Sequence, residues 1–394
     1  MDERVLFPIS DAELERRWSA LRAIMSERAV SALVVQNNND WLGGYVKWLT
    51  DLPPTNGYPT TVIFHLDDLM TVIEMGPKGG YRALHGDDQI YRGVGLVATT
   101  PAFTSVAFTD RYQSTLVLED LKPRSYSRIG VAGFGALPHR FIRHIESELE
   151  PIPLIDLTEE VDWIKSIKSP EEVLAIRKCA AMQDEIFSRV MEKIRPGMRD
   201  TEVTALAQYE GRLLGSEQGL FLGSSAPLEK PSRFLDRHQQ GRTIEPGDHF
   251  TLLIENSGPG GYYTEIARTI VFGRPNQQLT EGFAAMRAAQ AHTLSLIRPG
   301  ASCREIAAAH DDYLRTNGFP TELRLYSHGQ GYDLVERPLI RADESMTLAE
   351  GMNLAVHPGY ELNSIFAVIC DNYLVESDGA SECLHRTEKK IFEL

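Results

Sequence analysis

The sequence predicts an α/β domain over residues 1–156 followed by an α+β domain over residues 157–394. Three observations lead there. Strand-like apolar runs alternate with helical segments through the first 150 or so residues. Near Leu157 the pattern changes to charged helical runs, LTEEVDWIKSIKSPEEVLAIRKCAAMQDEIFSRVMEKI. A helix, Arg-Pro-Gly, helix unit then occurs twice, in KIRPGMRDTEVTALAQ and LIRPGASCREIAAAHDDYL, as an internal duplication would leave it.

The first element is a helix over Asp11 to Ala29, with Leu14, Trp18, Leu21, Ile24 and Met25 on one face and an acidic opening that suits the positive end of the helix dipole. SALVVQ, TTVIFHL, LMTVIEM, STLVLEDL and RIGVAGFG read as strands. In the second domain Ser169-Pro170-Glu171-Glu172 is a helix start, with Ser as cap, Pro in the first turn and two acids beside the dipole. Helical pairs over 170–215 and 280–317 alternate with strand and Gly-rich segments at 218–225, 249–271 and 351–376.

Composition limits what such a chain can do. Of 394 residues, 42% are hydrophobic and 24% charged, which supplies sizeable cores and excludes disorder as the dominant state. The formal charge of -15, from 40 Lys+Arg against 55 Asp+Glu, opposes nucleic acid and anionic membranes and suits a small or cationic substrate. Four scattered cysteines make neither a disulfide framework nor a zinc ribbon. The acidic start lacks the pattern of a signal peptide, and no stretch reaches the roughly 18 apolar residues of a membrane span, so the expected compartment is the cytoplasm.

IKSPEEVLAIRKCAAM, the two RPG turns, PGDHF, YYTEIARTIVFG, SHGQGYD, EGMNLAVHPGY and CDNYLVESDGA occur in the order found in the creatinase, aminopeptidase P and prolidase family, which the chain resembles over essentially its whole length. The resemblance implies a C-terminal domain of pita-bread fold and a homodimer in which the N-terminal domain of one subunit helps to wall the site of the other. In the metal-dependent members two Asp, one His and two Glu hold two divalent cations, whose bridging hydroxide attacks the scissile carbonyl.

Matched singly, those five positions become Glu255, Glu265 (in TEIART), His328, His357 (in HPGY) and Cys370. One ligand survives unchanged. Lengthening a carboxylate by a methylene moves its oxygen by more than about 1 Å, whereas metal distances hold within about 0.2 Å. A dinuclear site is therefore not expected, and no cofactor is. The alternative is a single Zn or Fe on Glu265, His328, His357 and Cys370, since zinc accepts oxygen, nitrogen and sulfur. Cys370 also reads as a small buried hydrophobe.

Creatinase, in the same family, hydrolyses a C–N bond without metal, using a catalytic His and carboxylates. Its acid lies directly before the Arg, where this chain has Ala267, so the acid here is displaced to Glu265. Its His would fall at Asp236 or at His238. The acid–base candidates are His328, His357, Glu255 and Glu265, because imidazole titrates near neutrality and a carboxylate can fix its tautomer. Tyr263, Arg268, Asp236, His238, Asp333 and Cys370 are the substrate-binding candidates, and Tyr263, Trp41 or Trp48 could seat a cationic head group. Gly258-Pro259-Gly260-Gly261 reads as a hairpin turn or a binding element, and Asp333, Glu336 and Arg337 as pocket lining or an ion-pair cluster. SHGQG lacks the Lys of a phosphate loop, and Gly223-Ser224-Ser225 lacks nucleophile-elbow spacing.

The leading expectation is a metal-independent hydrolase that cleaves a C–N bond in a small nitrogen-containing substrate. Three alternatives stay open: a lyase performing β-elimination on a small zwitterion, as a dimethylsulfoniopropionate lyase of the family does; an Xaa-Pro peptidase with an atypical metal site; and a non-catalytic binding protein.

Overall fold

Ser10 begins α1 (Asp11–Glu27) by accepting the Glu13 backbone N–H on its side chain. The helix buries Leu14, Leu21 and Met25, together with a Glu13–Arg17 ion pair. In the computed structural model, which describes residues 7–42, 44–362 and 364–394, the chain divides into two compact units, Met1–Lys165 and Ser166–Leu394.

The first unit is built on one mixed sheet. Its strands are β1 (Ala32–Asn37), β2 (Thr60–His65), β3 (Met70–Met75), β4 (Gly80–Ala83), β5 (Val94–Thr100), β6 (Ile129–Val131) and β7 (Leu154–Asp156). They lie in the order β4-β5-β3-β2-β1-β6-β7. Helices α2 (Tyr45–Thr50), α3 (Tyr112–Leu121), α4 (His139–Leu149) and α5 (Thr158–Ser166) complete it.

STLVLEDL, read as a strand, lies in α3. Val117, Leu118 and Leu121 fall on one helical face and join the core with Phe141 and Ile145 of α4. The boundary expected near residue 156 lies at 165 instead, because α5 is tied into the first unit. Thr158 accepts the Gly133 backbone N–H at 2.9 Å, Asp162 accepts the Tyr45 hydroxyl at 2.8 Å, and the Lys165 ammonium lies 4.4 Å from the Tyr45 ring centroid.

The second unit opens with α6 (Pro170–Met191), started by a complete Ser169/Glu172 capping box, and α7 (Asp200–Leu213). Strands β8 (Gly219–Pro227), β9 (Asp248–Ser257) and β10 (Tyr263–Val271) follow as an antiparallel sheet. Ile254, Ile266, Ile270 and Phe250 on one face of that sheet pack against Cys179, Ile186 and Val203 of the two helices. After α8 (Gln277–Leu296) and α9 (Cys303–Thr316) come β11 (Ser327–Gly329), β12 (Glu336–Leu339), β13 (Asn353–Val356), β14 (Gly359–Leu362), β15 (Ile365–Val368) and β16 (Asp371–Glu376). β12, β11, β13 and β16 lie side by side in that order. A single bridge, Ala267 opposite Cys370, joins β10 to the chain entering β16.

The two helix pairs thus each back their own sheet. The opposite faces of β9 and β10, with β11 and the ends of β13 and β16, carry Glu255, Glu265, His328, His357 and Cys370.

Candidate active site

Period-2 alternation decides which side chains of β9 and β10 share a face. Tyr263, Glu265 and Ala267 lie on one face of β10, and Arg268 lies on the other. Glu265 stands directly opposite Glu255 of β9, and Ala267 opposite Leu253. The intervening Gly258-Pro259-Gly260-Gly261 is a hairpin turn, with Gly260 and Gly261 at positive φ, a region costly for other residues. β11 brings in His328, paired with Ala355. His357, just beyond β13, donates its backbone N–H to the Tyr326 carbonyl at 2.7 Å.

Five of the candidates meet, with Glu255 opposite Glu265. One donor atom each from Glu265, His328 and His357 lies within 4.8 Å of the others. The Cys370 thiol donates to Glu265 Oε1 at 2.7 Å, and His357 Nε2 lies 3.4 Å from the same oxygen without an aligned hydrogen bond. The His328 and His357 rings approach edge to face, with centroids 5.2 Å apart. His328 Nδ1 lies 3.0 Å from the Gly329 carbonyl. A carbonyl only accepts, so Nδ1 carries the proton and Nε2 keeps its lone pair.

Electrostatics separates the two carboxyls. Burial, reinforced by the charge of Glu265, holds Glu255 well above the ordinary carboxylate range. For Glu265 burial acts in the same direction, but the His357 and His328 imidazoles and hydrogen bonds from Glu255 and Cys370 outweigh it and keep the group ionised. Burial pushes His357 down to about 4, so the ring is neutral near pH 7. Burial, then the adjacent Glu265 charge, raises the Cys370 thiol well above its usual range. Of the two carboxyls, Glu255 is thus the one biased to hold a proton and Glu265 the one biased to ionise, with the Cys370 thiol donating to Glu265 and two histidine rings alongside.

Three amides hold this arrangement, and the sequence reading missed them. Gln330 Nε2 donates to Glu255 Oε1 at 3.0 Å, and Asn372 Nδ2 donates to Gln330 Oε1 at 2.9 Å and to Asn353 Oδ1 at 3.2 Å. Asn372 Oδ1 accepts the Glu265 backbone N–H at 2.7 Å. These residues come from three segments distant in sequence; SHGQG was the available signal for Gln330, and CDN for Asn372.

Other candidates fall elsewhere. Arg268 is fully buried on the opposite face with every N–H in use. It bonds the carbonyls of Ala267, Cys370, Thr387 and Glu388, and Asp371 Oδ1 at 2.6 Å. It therefore locks β10 to β16 and has no donor left for a substrate. Asp236 caps an exposed turn by accepting the His238 N–H at 2.9 Å, and His238 is itself exposed. From that loop Phe234 reaches inward, packing with Leu222, Leu253, Ala267 and Cys370. Tyr263 is fully buried on the site-facing side of β10, which leaves its ring closed to a cationic head group, and Asp333 is buried in the segment after β11. Glu336 pairs with Lys168 and Arg337 with Glu344, so these two are ion-pair residues. In the first unit Trp48 is a core residue with Arg17 against its ring, so it too is closed to a ligand. Trp41 is half-buried.

Residues 175–377 match the model of metallopeptidase family M24. The chain belongs to that family. An uncharacterized peptidase, YqhT, of Bacillus subtilis is 26% identical over 249 residues, 61% of this chain and 68% of its own. The Xaa-Pro dipeptidase of Pyrococcus furiosus is 25% identical over 261 residues, 65% of this chain and 74% of its own. Among solved structures, the X-Pro aminopeptidase of Thermotoga maritima superposes with a TM-score of 0.78 at 17% identity, over 96% of this chain and 99% of that one. The Xaa-Pro dipeptidase of Bacillus anthracis gives 0.76 at 19%, over 97% and 100%. The M24 fold, an α/β domain followed by a pita-bread domain, is the one expected from the sequence, and the family is one of hydrolases. Among the described residues no helix is long and apolar enough to cross a membrane.

An M24 chain implies bound metal, and the donors here do not fit two ions. Glu255 and Glu265 are direct cross-strand partners, and the remaining donors are two imidazoles and a thiol, so the carboxylates that bridge and neutralise two adjacent dications are not all present. Glu265, His328 and His357 have the spacing for one ion. A second group, Asp371, Cys383 and His385, also lies within 4.8 Å. There Arg268 already neutralises Asp371, and both His385 nitrogens are engaged, with Gln183 and the Asn372 N–H.

Proposed function

We propose that this M24 chain is a metal-independent hydrolase that cleaves a C–N bond in a small nitrogen-containing substrate by general acid–base catalysis in the 157–394 domain, and that it works as a cytoplasmic homodimer. The observation that carries the reading is the pair Glu255 and Glu265, cross-strand partners whose pKa values are driven apart. Two titratable groups separated in this way are what acid–base division of labour requires.

His328 Nε2, its lone pair fixed by the Gly329 contact, takes a proton from the attacking water. The water oxygen bonds to the substrate carbon as the C–N bond breaks. The Glu255 carboxyl gives its proton to the departing nitrogen. Glu265, ionised beside both imidazoles, stabilises the imidazolium and relays the proton back to Glu255. His357 packs beside that carboxylate, its Nε2 3.4 Å away, and the Cys370 thiol donates to it. Phe234, Leu222 and Leu253 supply an apolar wall. Relatives named Xaa-Pro dipeptidase act, by that name, on a C–N bond too.

The test is a panel of betaines, guanidino compounds and dipeptides assayed on protein with and without chelator. The reading expects turnover that chelator leaves intact. Turnover confined to Xaa-Pro dipeptides, raised by Mn and abolished by chelator, would overturn it.

A further inference from the structure

We propose that the first unit carries a binding site of its own: a cavity between α2 and the sheet in which Glu74, with the hydroxyls of Thr55, Tyr58 and Thr60, takes a small organic ammonium ion bearing N–H groups. The site shares no residue with the candidate active site and stands independently of the reaction proposed above.

Strand alternation builds the cavity. Ile73 of β3 belongs to the core shared with α3 and α4, so Val72 and Glu74 lie on the opposite face of the sheet. Thr61 of β2 stands opposite Ile73, which leaves Thr60 on the same face as Glu74. Val46 and Thr50 of α2, with Leu52, Thr55 and Tyr58 from the segment that follows, enclose a cavity of about 230 Å³ against that face. Val46, Leu52 and Val72 form its apolar wall.

Glu74 is the acidic group of this cavity, and among the described residues no Lys, Arg or His pairs with it. Tyr91 donates its hydroxyl to the two carboxylate oxygens at 2.8 and 3.0 Å. Burial, then the Glu74 charge, raises the Tyr91 phenol above its usual range, so it remains a donor. Arg82 lies over the Tyr91 ring, 4.7 Å from its centroid, and lines a neighbouring cavity. A carboxylate has about four acceptor sites, so Glu74 has room for further N–H donors. The hydroxyls of Thr55, Tyr58 and Thr60 line the same space, and among the described residues none of them is hydrogen bonded. A neutral ligand leaves the carboxylate unmatched, and a quaternary ion has no N–H to give the hydroxyls. The set therefore selects a primary or secondary ammonium with a short aliphatic body.

The experiment titrates n-butylammonium into the full chain by calorimetry, with n-butanol as the uncharged control and tetramethylammonium as the control without N–H. Saturable binding of butylammonium is expected, with each control at least about 10-fold weaker, the scale of a lost hydrogen bond to a charged group. Glu74→Gln should weaken butylammonium binding by more than about 10-fold and Thr60→Val, which keeps the shape, by about 10-fold. Glu265→Gln should bind like the parent, and thermal melts confirm the fold of each variant. If Glu74→Gln is unfolded, Thr60→Val decides. No saturable binding, binding that folded Glu74→Gln or Thr60→Val leaves unchanged, or binding lost in Glu265→Gln overturns the site. Equal binding of n-butanol overturns the role of the charge, and equal binding of tetramethylammonium overturns that of the hydroxyls.

Discussion

Glu255 and Glu265 face one another across β9 and β10 as a direct cross-strand pair, with burial and the neighbouring charge driving Glu255 above the ordinary carboxylate range while Glu265 is held below it. Like charges opposite each other in a sheet are unfavourable, so one proton between them is the condition for burying both. Replacing Glu255 by Gln keeps the shape and the uncharged state but removes the transferable proton. Glu255→Gln should melt within a few degrees of the parent and lose about 10²- to 10⁴-fold in turnover. Turnover close to the parent would move the acid role elsewhere.

His328 and His357 should separate in kind. His328→Asn removes the base and should cost about 10²- to 10⁴-fold in kcat. His357→Gln removes a neutral ring that touches Glu265, and its smaller loss should come with an altered pH profile. Rates measured from pH 5 to 9 on both folded variants check this.

Stability should fall in acid within a defined window. Burial depresses His249, His310, His357 and His385 to about 4 from 6.5. A depressed group contributes stability that is present above its unfolded value and is lost as pH falls through the folded value. Between pH 6.5 and 4 the unfolded chain therefore binds more protons, and each histidine removes on the order of 1 kcal/mol per pH unit. Thermal melts should drop steeply over that range, and His310→Gln should flatten the slope.

Arg268 and Asp371 form a fully buried ion pair. Breaking such a pair by removing one partner leaves an uncompensated charge and typically costs about 3–5 kcal/mol. Asp371→Asn should show that loss in chemical denaturation. A change in KM with unaltered stability would instead restore Arg268 to substrate binding.

The exposed turn offers a control. Asp236→Ala with His238→Ala should change stability by less than about 0.5 kcal/mol, as exposed substitutions do, and leave turnover within about two-fold. Phe234→Ala should raise KM.

How much of this was readable from the residues depends on the range of the contacts. The start of α6 was local, because Ser169, Pro170 and Glu172 act within one turn. Motif order carried the fold and brought Glu255, Glu265, His328, His357 and Cys370 to one place in advance. STLVLEDL misled because a short apolar run fits strand and helix alike, and its packing partners on α4 decide the matter. The position of Arg268 was implicit in strand parity, three residues from Glu265 and so on the other face. The Gln330–Asn372–Asn353 network was not legible, since nothing in three separate amides announces that they will meet.

The most direct measurement is turnover of the first substrate found, before and after complete removal of metal by chelator. The account predicts that stripped protein turns over at least as fast as untreated protein, and that added manganese changes nothing. Turnover that vanishes on stripping and returns with manganese would contradict it.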